Sequence, residues 1–234
     1  MKNEQMPRHV AFIMDGNGRW AAKHKYPRIE GHRAGSKAMH TIGKYAAELG
    51  IETATFYAFS TENWKRSKEE VHALMLLLEE YLDDLEKNSN NTARLVVLGD
   101  IDKLESRLQN KILAAQQKSS DNTGITINVA FNYGARDELV HGIRAIARKC
   151  AAGELSPEAI DENTVSQSLY TAGQNDPDMI IRPSGEMRLS NFLLWQAAYS
   201  ELIFMDVLWP DFTPKHLDEA LLEYSKRDRR FGGR

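Results

Sequence analysis

Six short apolar runs, each closed by a turn residue or a charge and separated from the next by a stretch of helical period, limit the folds open to this chain more than any other feature. They are HVAFIM (9–14), TATFYAF (53–59), ARLVVLG (93–99), GITINVAF (124–131), DMIIRP (178–183) and LIFM (202–205). Runs of four to eight apolar, β-branched and aromatic residues read as buried strands. Parallel neighbours need a crossover of a dozen residues or more, and the helical stretches between the runs supply it. The pattern predicts an α/β fold, one domain over 1–234, with a mostly parallel central sheet flanked by helices. Helices are expected over 36–49, with Gly50 as a left-handed cap, and over 67–87, where Ser67 and Glu70 form a capping box. Two more are expected over 102–118 and 137–151, and a last one opens at Pro214 with Thr213 as its cap. No repeat, low-complexity tract or Gly/Ser/Pro-rich linker divides the chain.

The stretch 67–87 is more apolar than one buried face requires. Val71, Leu74, Met75, Leu78, Leu82 and Leu85 form a stripe, and Leu76, Leu77 and Tyr81 widen it. Such a helix is covered on two sides or lines a cavity for a greasy ligand. A chain of 234 residues removes roughly 70% of its extended surface from water, so it needs no disulfide or structural metal as a staple. The single Cys150 and the absence of a Cys/His cluster exclude a disulfide scaffold and a zinc finger. With no apolar core in MKNEQMPRH and no run of about 18 apolar residues, the expected location is the cytoplasm.

The net charge of −3 conceals two basic segments. Residues 15–37 carry six cations against Asp15 and Glu30, a net of +4, and residues 226–234 carry five against Asp228, again +4, which leaves −11 for the remainder. A concentrated cation cluster on an acidic body suits a local anionic ligand rather than nucleic acid, which takes a broadly basic surface. On charge alone, solvated loop and helix faces explain the two runs equally well.

Ligands of parallel sheets bind where the strands end, which directs attention to 15–19, 60–66, 132–136 and 182–190. In DGNGRW the two glycines permit a tight turn whose N–H groups face an anion, and Arg19 can pair with two phosphate oxygens. GNGRWA also fits a dinucleotide fingerprint, but Asp15 would oppose a bare pyrophosphate and no acidic residue ends the second strand to hold a ribose. A carboxylate followed by an N–H cradle and an arginine suits a diphosphate carrying a divalent cation. Arg19, Arg28, Arg66, Arg182 and Arg188 exceed what one diphosphate needs, and two anionic ligands side by side account for them.

These motifs carry a family resemblance. HVAFIMDGNGRWA, Arg28 to His32, FYAFSTENWKR, FNYGARDEL, IRPSGEMRLSNFLLWQAAYSEL and the terminal RRFGG resemble, in order and over nearly the whole chain, the signature segments of the cis-prenyltransferases. The resemblance implies an α/β fold with a hydrophobic substrate tunnel. The implied reaction condenses an allylic diphosphate, usually farnesyl diphosphate, with successive isopentenyl diphosphates to a Z-polyprenyl diphosphate, undecaprenyl diphosphate in bacteria, used as a lipid carrier for cell-wall glycans. It implies Mg2+ held by Asp15, an allylic cradle of Gly16, Asn17, Gly18, Arg19, Arg28 and His32 with Trp20 beside it, and a border of Ser60, Thr61 and Glu62. Asn63 matches a proposed proton acceptor, although a neutral amide is a weak base and an orienting role stands beside it. Trp64 and Arg66 order the second substrate, and Arg182, Arg188, Leu189 and Ser190 form its site. Glu201 matches a carboxylate near the metal in some members. Met187 departs from the histidine some members carry there, and a thioether is a poor magnesium ligand. Arg230 and Gly232 match an ending that reaches a partner's site, which implies a homodimer. Release of the product implies transient contact with a membrane. Accessory subunits without activity also occur in the family, and a non-catalytic partner subunit is the alternative.

Overall fold

Alternation within the first strand sets up the two layers. In β1 (His9–Ile13), Val10 and Phe12 point into one core while Ala11 and Ile13 point into another, all of them buried. A computed structural model describes residues 6–87 and 92–227. After β1 come α1 (Asn17–Lys23), α2 (Arg28–Glu48), β2 (Thr53–Ser60), α3 (Lys68–Lys87), β3 (Arg94–Leu98), α4 (Ser106–Lys118), β4 (Thr126–Tyr133) and α5 (Ala135–Ala151). The chain continues through α6 (Glu162–Ser166), β5 (Met179–Arg182), β6 (Glu201–Phe204) and α7 (Pro214–Ser225). The six strands form one sheet in the order β3-β4-β2-β1-β5-β6, and every pairing is parallel. The larger core takes Ile42 and Ala46 of α2, Leu74 and Leu78 of α3, Ile112 of α4 and Leu217 of α7. The smaller one, on the opposite face, takes Ala135 of α5 with Phe192 and Leu193.

The strands lie where the apolar runs predict them, within two residues at each end. α2 does not: it begins eight residues before the expected Ser36, and α1 was not expected as a helix at all. The reason is glycine, a poor helix former that marks loops when only propensity is weighed. A Cβ on Gly31 would lie 2.1 Å from the Asn17 carbonyl oxygen, and one on Gly35 would lie 2.4 Å from Asn17 Oδ1. The glycines let α2 press against α1, so packing overrides propensity. α7 follows expectation closely, with Pro214 opening it and Thr213 and His216 capping its start.

Candidate active site

β1 and β5 are neighbours, but the chain leaves β1 toward β2 on one side and β5 toward β6 on the other. That divergence opens a crevice at the carboxyl ends of the two strands. Asp15 follows β1 and Arg182 ends β5. The Arg182 side chain is only 4% exposed; its Nη2 donates to Asp15 Oδ2 at 2.8 Å and its Nη1 to Ser190 Oγ at 2.8 Å and to the Arg188 carbonyl. Arg19 approaches the other Asp15 oxygen at 3.2 Å and donates to the Ser184 carbonyl at 3.0 Å. Burial alone would raise the Asp15 pKa, but the Arg182 hydrogen bond and the charges of Arg182 and Arg19 outweigh it and hold the carboxyl below its ordinary range. Gly16 makes the turn between Asp15 and α1 in the left-handed region, at φ 107°, where a Cβ would also press on Leu208 at 2.9 Å.

A second carboxylate, Glu70, which the sequence predicts as half of a capping box, gathers Arg28, His32 and Arg66. Glu70 Oε1 accepts Arg66 Nη1 at 2.8 Å, faces His32 Nε2 at 3.2 Å and lies 3.4 Å from Arg28 Nε. The capping box is therefore only half formed: Ser67 Oγ accepts the Glu70 N–H, while the Glu70 carboxylate turns into the site. Gly18 leaves room for Arg28, whose Nε would be 3.0 Å from a Cβ there. Burial lowers the His32 pKa, and the Arg66 and Arg28 charges add to that against the opposing pull of Glu70, so His32 is neutral at pH 7.

The segment after β2 caps its own short 3-10 helix, Thr61–Lys65, with Ser60 and Asn63. The Ser60 backbone N–H donates to Asn63 Oδ1 at 3.0 Å. An amide N–H can only donate, so this bond fixes the Asn63 side chain: its oxygen is engaged and its NH2 group is the end left for a ligand. Thr61 and Glu62 face away from the cleft toward the segment after β5, where Asn191 Nδ2 donates to Glu62 Oε1 at 2.9 Å. Gly134 makes this approach possible, since a Cβ there would meet Thr61 Oγ1 at 2.5 Å.

That segment is held in unusual backbone. Ser184, Ser190, Asn191 and Leu193 all have φ between 45° and 87°, a region that non-glycine residues enter at a cost. Specific contacts hold it there: Tyr57 donates to the carbonyls of Tyr133 and Ser190, and Ala135 N–H donates to the Asn191 carbonyl at 2.8 Å. Buried Glu138 accepts from Tyr133 Oη at 2.5 Å, the Tyr170 N–H at 2.9 Å and Gln196 Nε2 at 3.2 Å. Burial raises its pKa against the pull of those three donors.

A polar cleft of about 240 Å³ runs between these groups, lined by Asp15, Asn17, His32, Ser60, Asn63, Arg66, Arg182, Arg188 and Ser190 among others. An apolar pocket of about 60 Å³ adjoins it, sharing Met14, Asn17, His32 and Ala58 and walled by Leu74, Leu77, Leu78 and Tyr81 of α3. A cavity of roughly 150 Å³ holds one benzene. Among the described residues the structure shows an apolar pocket beside the cleft; the tunnel that the resemblance implies is not shown.

The undecaprenyl diphosphate synthase family model of the prenyltransferases matches residues 13–232. The chain belongs to that family. It is 48% identical over 98% of its length to an isoprenyl transferase of Clostridium perfringens, of which it covers 91%. It is 47% identical, over 97% of this chain and 95% of the relative, to a ditrans,polycis-undecaprenyl-diphosphate synthase of Pasteurella multocida described as (2E,6E)-farnesyl-diphosphate specific. Among solved structures, lavandulyl diphosphate synthase of Lavandula x intermedia in complex with dimethylallyl diphosphate superposes with a TM-score of 0.94 at 39% identity, over 98% of this chain and all of that one. A probable undecaprenyl diphosphate synthase of Campylobacter jejuni gives 0.79 at 33%, over 97% of this chain and 98% of that one.

Not every residue that the family pattern selects reaches the cleft. Trp20 lies outside it, its Nε1 bonded to Asp211 Oδ1 at 2.7 Å, and Trp64 is anchored to Asn132 Oδ1 at 2.7 Å with 42% of its surface exposed. Leu189 packs on the smaller core. Glu201 opens β6, at the end of the sheet opposite Asp15, and Arg227 holds it at 2.8 Å, so one chain does not bring it to Asp15. Met187 is 78% exposed. Arg230 and Gly232 lie outside the described residues. Among the described residues no three His, Cys, Asp or Glu side chains gather as a metal cluster. Among the described residues that line the cleft, Asp15 carries the one carboxylate, and it is half-buried. That donor set fits magnesium as an ion shared with diphosphate oxygens and water, its ordinary preference. Sequence reasoning missed Glu70, Tyr57 and Glu138 as parts of the site. The charge of Glu70, one helical turn after Arg66, was the one readable signal.

Proposed function

We propose that this prenyltransferase is a magnesium-dependent cis-prenyltransferase that extends an allylic diphosphate, farnesyl diphosphate foremost, with isopentenyl diphosphate to a Z-polyprenyl diphosphate. One arrangement carries the reading: a single carboxylate, Asp15, stands between two cationic clusters in a cleft that adjoins an apolar pocket. Arg28 and His32, aligned by Glu70, form the allylic side, Arg182, Arg188 and Ser190 form the isopentenyl side, and Arg66, held by the same Glu70, reaches from it toward the second substrate. The dimethylallyl diphosphate bound by the lavandulyl diphosphate synthase supports a diphosphate ligand for the fold. Undecaprenyl diphosphate, a lipid carrier for cell-wall glycans, is the product proposed, by analogy with the Pasteurella relative. The working form is a homodimer in the cytoplasm that touches a membrane only to release product.

Magnesium bound with the allylic diphosphate supplies positive charge against the negative charge that builds as that group departs. The residues of the chain do the rest. Arg19, now on Asp15 and Ser184, is within reach of the same diphosphate, and fixed guanidinium donors stabilise developing charge without reorganising. Arg182, locked from both sides, sets the distance between the two diphosphates. The Asn63 amide presents its NH2 group and so orients a diphosphate oxygen, and that oxygen takes the proton lost after the carbon-carbon bond forms. The growing chain enters the apolar pocket beside α3, where each added methylene-sized group contributes roughly 0.8 kcal/mol of burial. Incubation with farnesyl diphosphate, labelled isopentenyl diphosphate and magnesium, followed by mass analysis, tests the reading. A ladder of products rising by isoprene units is expected, lost in chelator and restored by magnesium. No elongation under any metal condition would overturn it and favour a non-catalytic partner subunit.

A further inference from the structure

The turn between α1 and α2 serves neither the core nor the cleft. Residues 22–27, Ala-Lys-His-Lys-Tyr-Pro, are all exposed, Tyr26 at 55%. No acidic residue occurs from Gly16 to Ile29, whereas Arg19, Lys23, Lys25 and Arg28 do. Among the described residues neither Lys23 nor Lys25 has a carboxylate partner; Arg28 faces Glu70, Arg19 faces Asp15, and Asp211 is held by the Trp20 indole. The aromatic rings are gathered. Trp20 packs on His24 with centroids 4.3 Å apart and lies 6.0 Å from Tyr26, which stacks on His24 at 6.1 Å. Backbone bonds from Lys25 N–H to Ala22 O and from Tyr26 N–H to Ala21 O fix the turn, with Lys25 left-handed at φ 58° and Pro27 closing it. A rigid knob with an amphipathic aromatic cluster ringed by unpaired lysines matches the interface of an anionic bilayer, where aromatic rings sit at headgroup level and each cation adds attraction.

We infer that this turn, centred on Lys23, Lys25 and Tyr26, is the surface by which the protein docks on an anionic phospholipid membrane. The inference rests on the proposed polyprenyl diphosphate product, an amphiphile that must pass into a bilayer. Its position suits that transfer: the turn joins the two halves of the allylic cradle, Asn17 to Arg19 before it and Arg28 to His32 after it. Docking there sets the cleft rim against the headgroups.

Co-sedimentation with vesicles of phosphatidylglycerol and phosphatidylcholine, against phosphatidylcholine alone, tests it. The wild-type chain should bind the anionic vesicles and release them as salt rises. K23A/K25A should bind about 30-fold more weakly at low salt, and Y26A should also weaken binding, while both elongate product normally in vesicle-free buffer. Wild-type binding that is absent, or equal on the two vesicle types, overturns the inference, as does K23A/K25A binding like wild type. Failure of the wild-type chain to elongate would instead count against the proposed reaction and leave the vesicle result to be read independently.

Discussion

Replacing Glu70 with Gln isolates the carboxylate on which the allylic cradle converges. The side chain keeps its shape and an amide oxygen but loses its charge. The three donors around Oε1 do not weigh equally. Arg28 is 63% exposed at 3.4 Å, and such a pair contributes a few tenths of a kcal/mol. Arg66 at 2.8 Å is one-third exposed, and His32 at 3.2 Å is buried, so each contributes about 1 kcal/mol once solvent screening is discounted. Losing the charge should cost about 1 kcal/mol of global stability, because the amide oxygen still accepts one bond. The larger effect is on alignment. About 2 kcal/mol of lost orientation corresponds to a rise in KM for the allylic diphosphate of roughly 10- to 30-fold. KM for isopentenyl diphosphate should rise less, because on that side only Arg66 touches Glu70, while Arg182, Arg188 and Ser190 are held by other partners. Steady-state kinetics with each substrate varied in turn, beside urea unfolding, gives both numbers. An unchanged allylic KM in a folded variant, or equal rises for both substrates, would refute the assignment of Glu70 as the organiser of one side of the site.

Asp15→Ala should lower turnover by a factor on the order of 10²–10³ or more while the chain stays folded, and near-normal elongation would show that Asp15 neither shares the cation nor positions Arg182. Arg188→Ala removes a 59% exposed guanidinium from the cleft wall and should raise KM for isopentenyl diphosphate about tenfold with kcat little changed; an unchanged KM removes it from the site. His9 carries a pH prediction. It is buried, with Nδ1 donating to the Asn175 carbonyl at 2.7 Å and Nε2 accepting from Thr55 Oγ1 at 2.7 Å, and burial lowers its pKa despite Asn175 and Asp178. The unfolded chain takes up a proton near pH 6.5 and the folded chain only at lower pH. Stability should therefore be unaffected by His9 above that value and fall as pH drops from it toward the folded pKa. His9→Gln, compared with wild type in melting temperature between pH 5 and 8, should flatten that part of the profile; an identical slope assigns the acid sensitivity elsewhere.

The strand ends that carry the chemistry were legible because period-2 and continuous apolar runs are local signals, and the turn residues that close them are local too. DGNGRW, SxxNWxR and RPSGEMRLS could be placed at the mouth of a parallel sheet before any contact was known. What local pattern could not give was the choice between two roles for one residue. Glu70 satisfies a capping box on paper, yet two arginines and a histidine brought from α2 and from the segment after β2 outweigh one backbone N–H. Gly31 and Gly35 read as loop because the close approach of Asn17 that requires them lies many residues away. Asn63 illustrates the converse. Its amide could not be oriented from sequence, and a single bond from the Ser60 N–H settles which end faces the cleft.

Under the proposed reaction, charge accounting explains why a site so rich in arginine would still take a divalent cation. Arg19, Arg28, Arg66, Arg182 and Arg188 face Asp15, Glu70 and Glu186, and His32 is neutral, so five cations meet three anions and the ligand-free site rests near +2. Each acid already has a use: Asp15 keeps buried Arg182 paired, Glu70 holds Arg28, His32 and Arg66, and Glu186 bridges Arg188 and Arg19. Two diphosphates bring far more negative charge than +2 offsets, and in a partly desolvated cleft their mutual repulsion would be severe. Adding arginines would not solve this without straining the empty site, where unpaired buried cations are costly. A divalent ion that arrives with its substrate supplies charge only when the charge is needed. In the proposed reaction Asp15, half-buried, held ionised and in contact with Arg19, which is exposed enough to turn to phosphate, is the residue that would receive it.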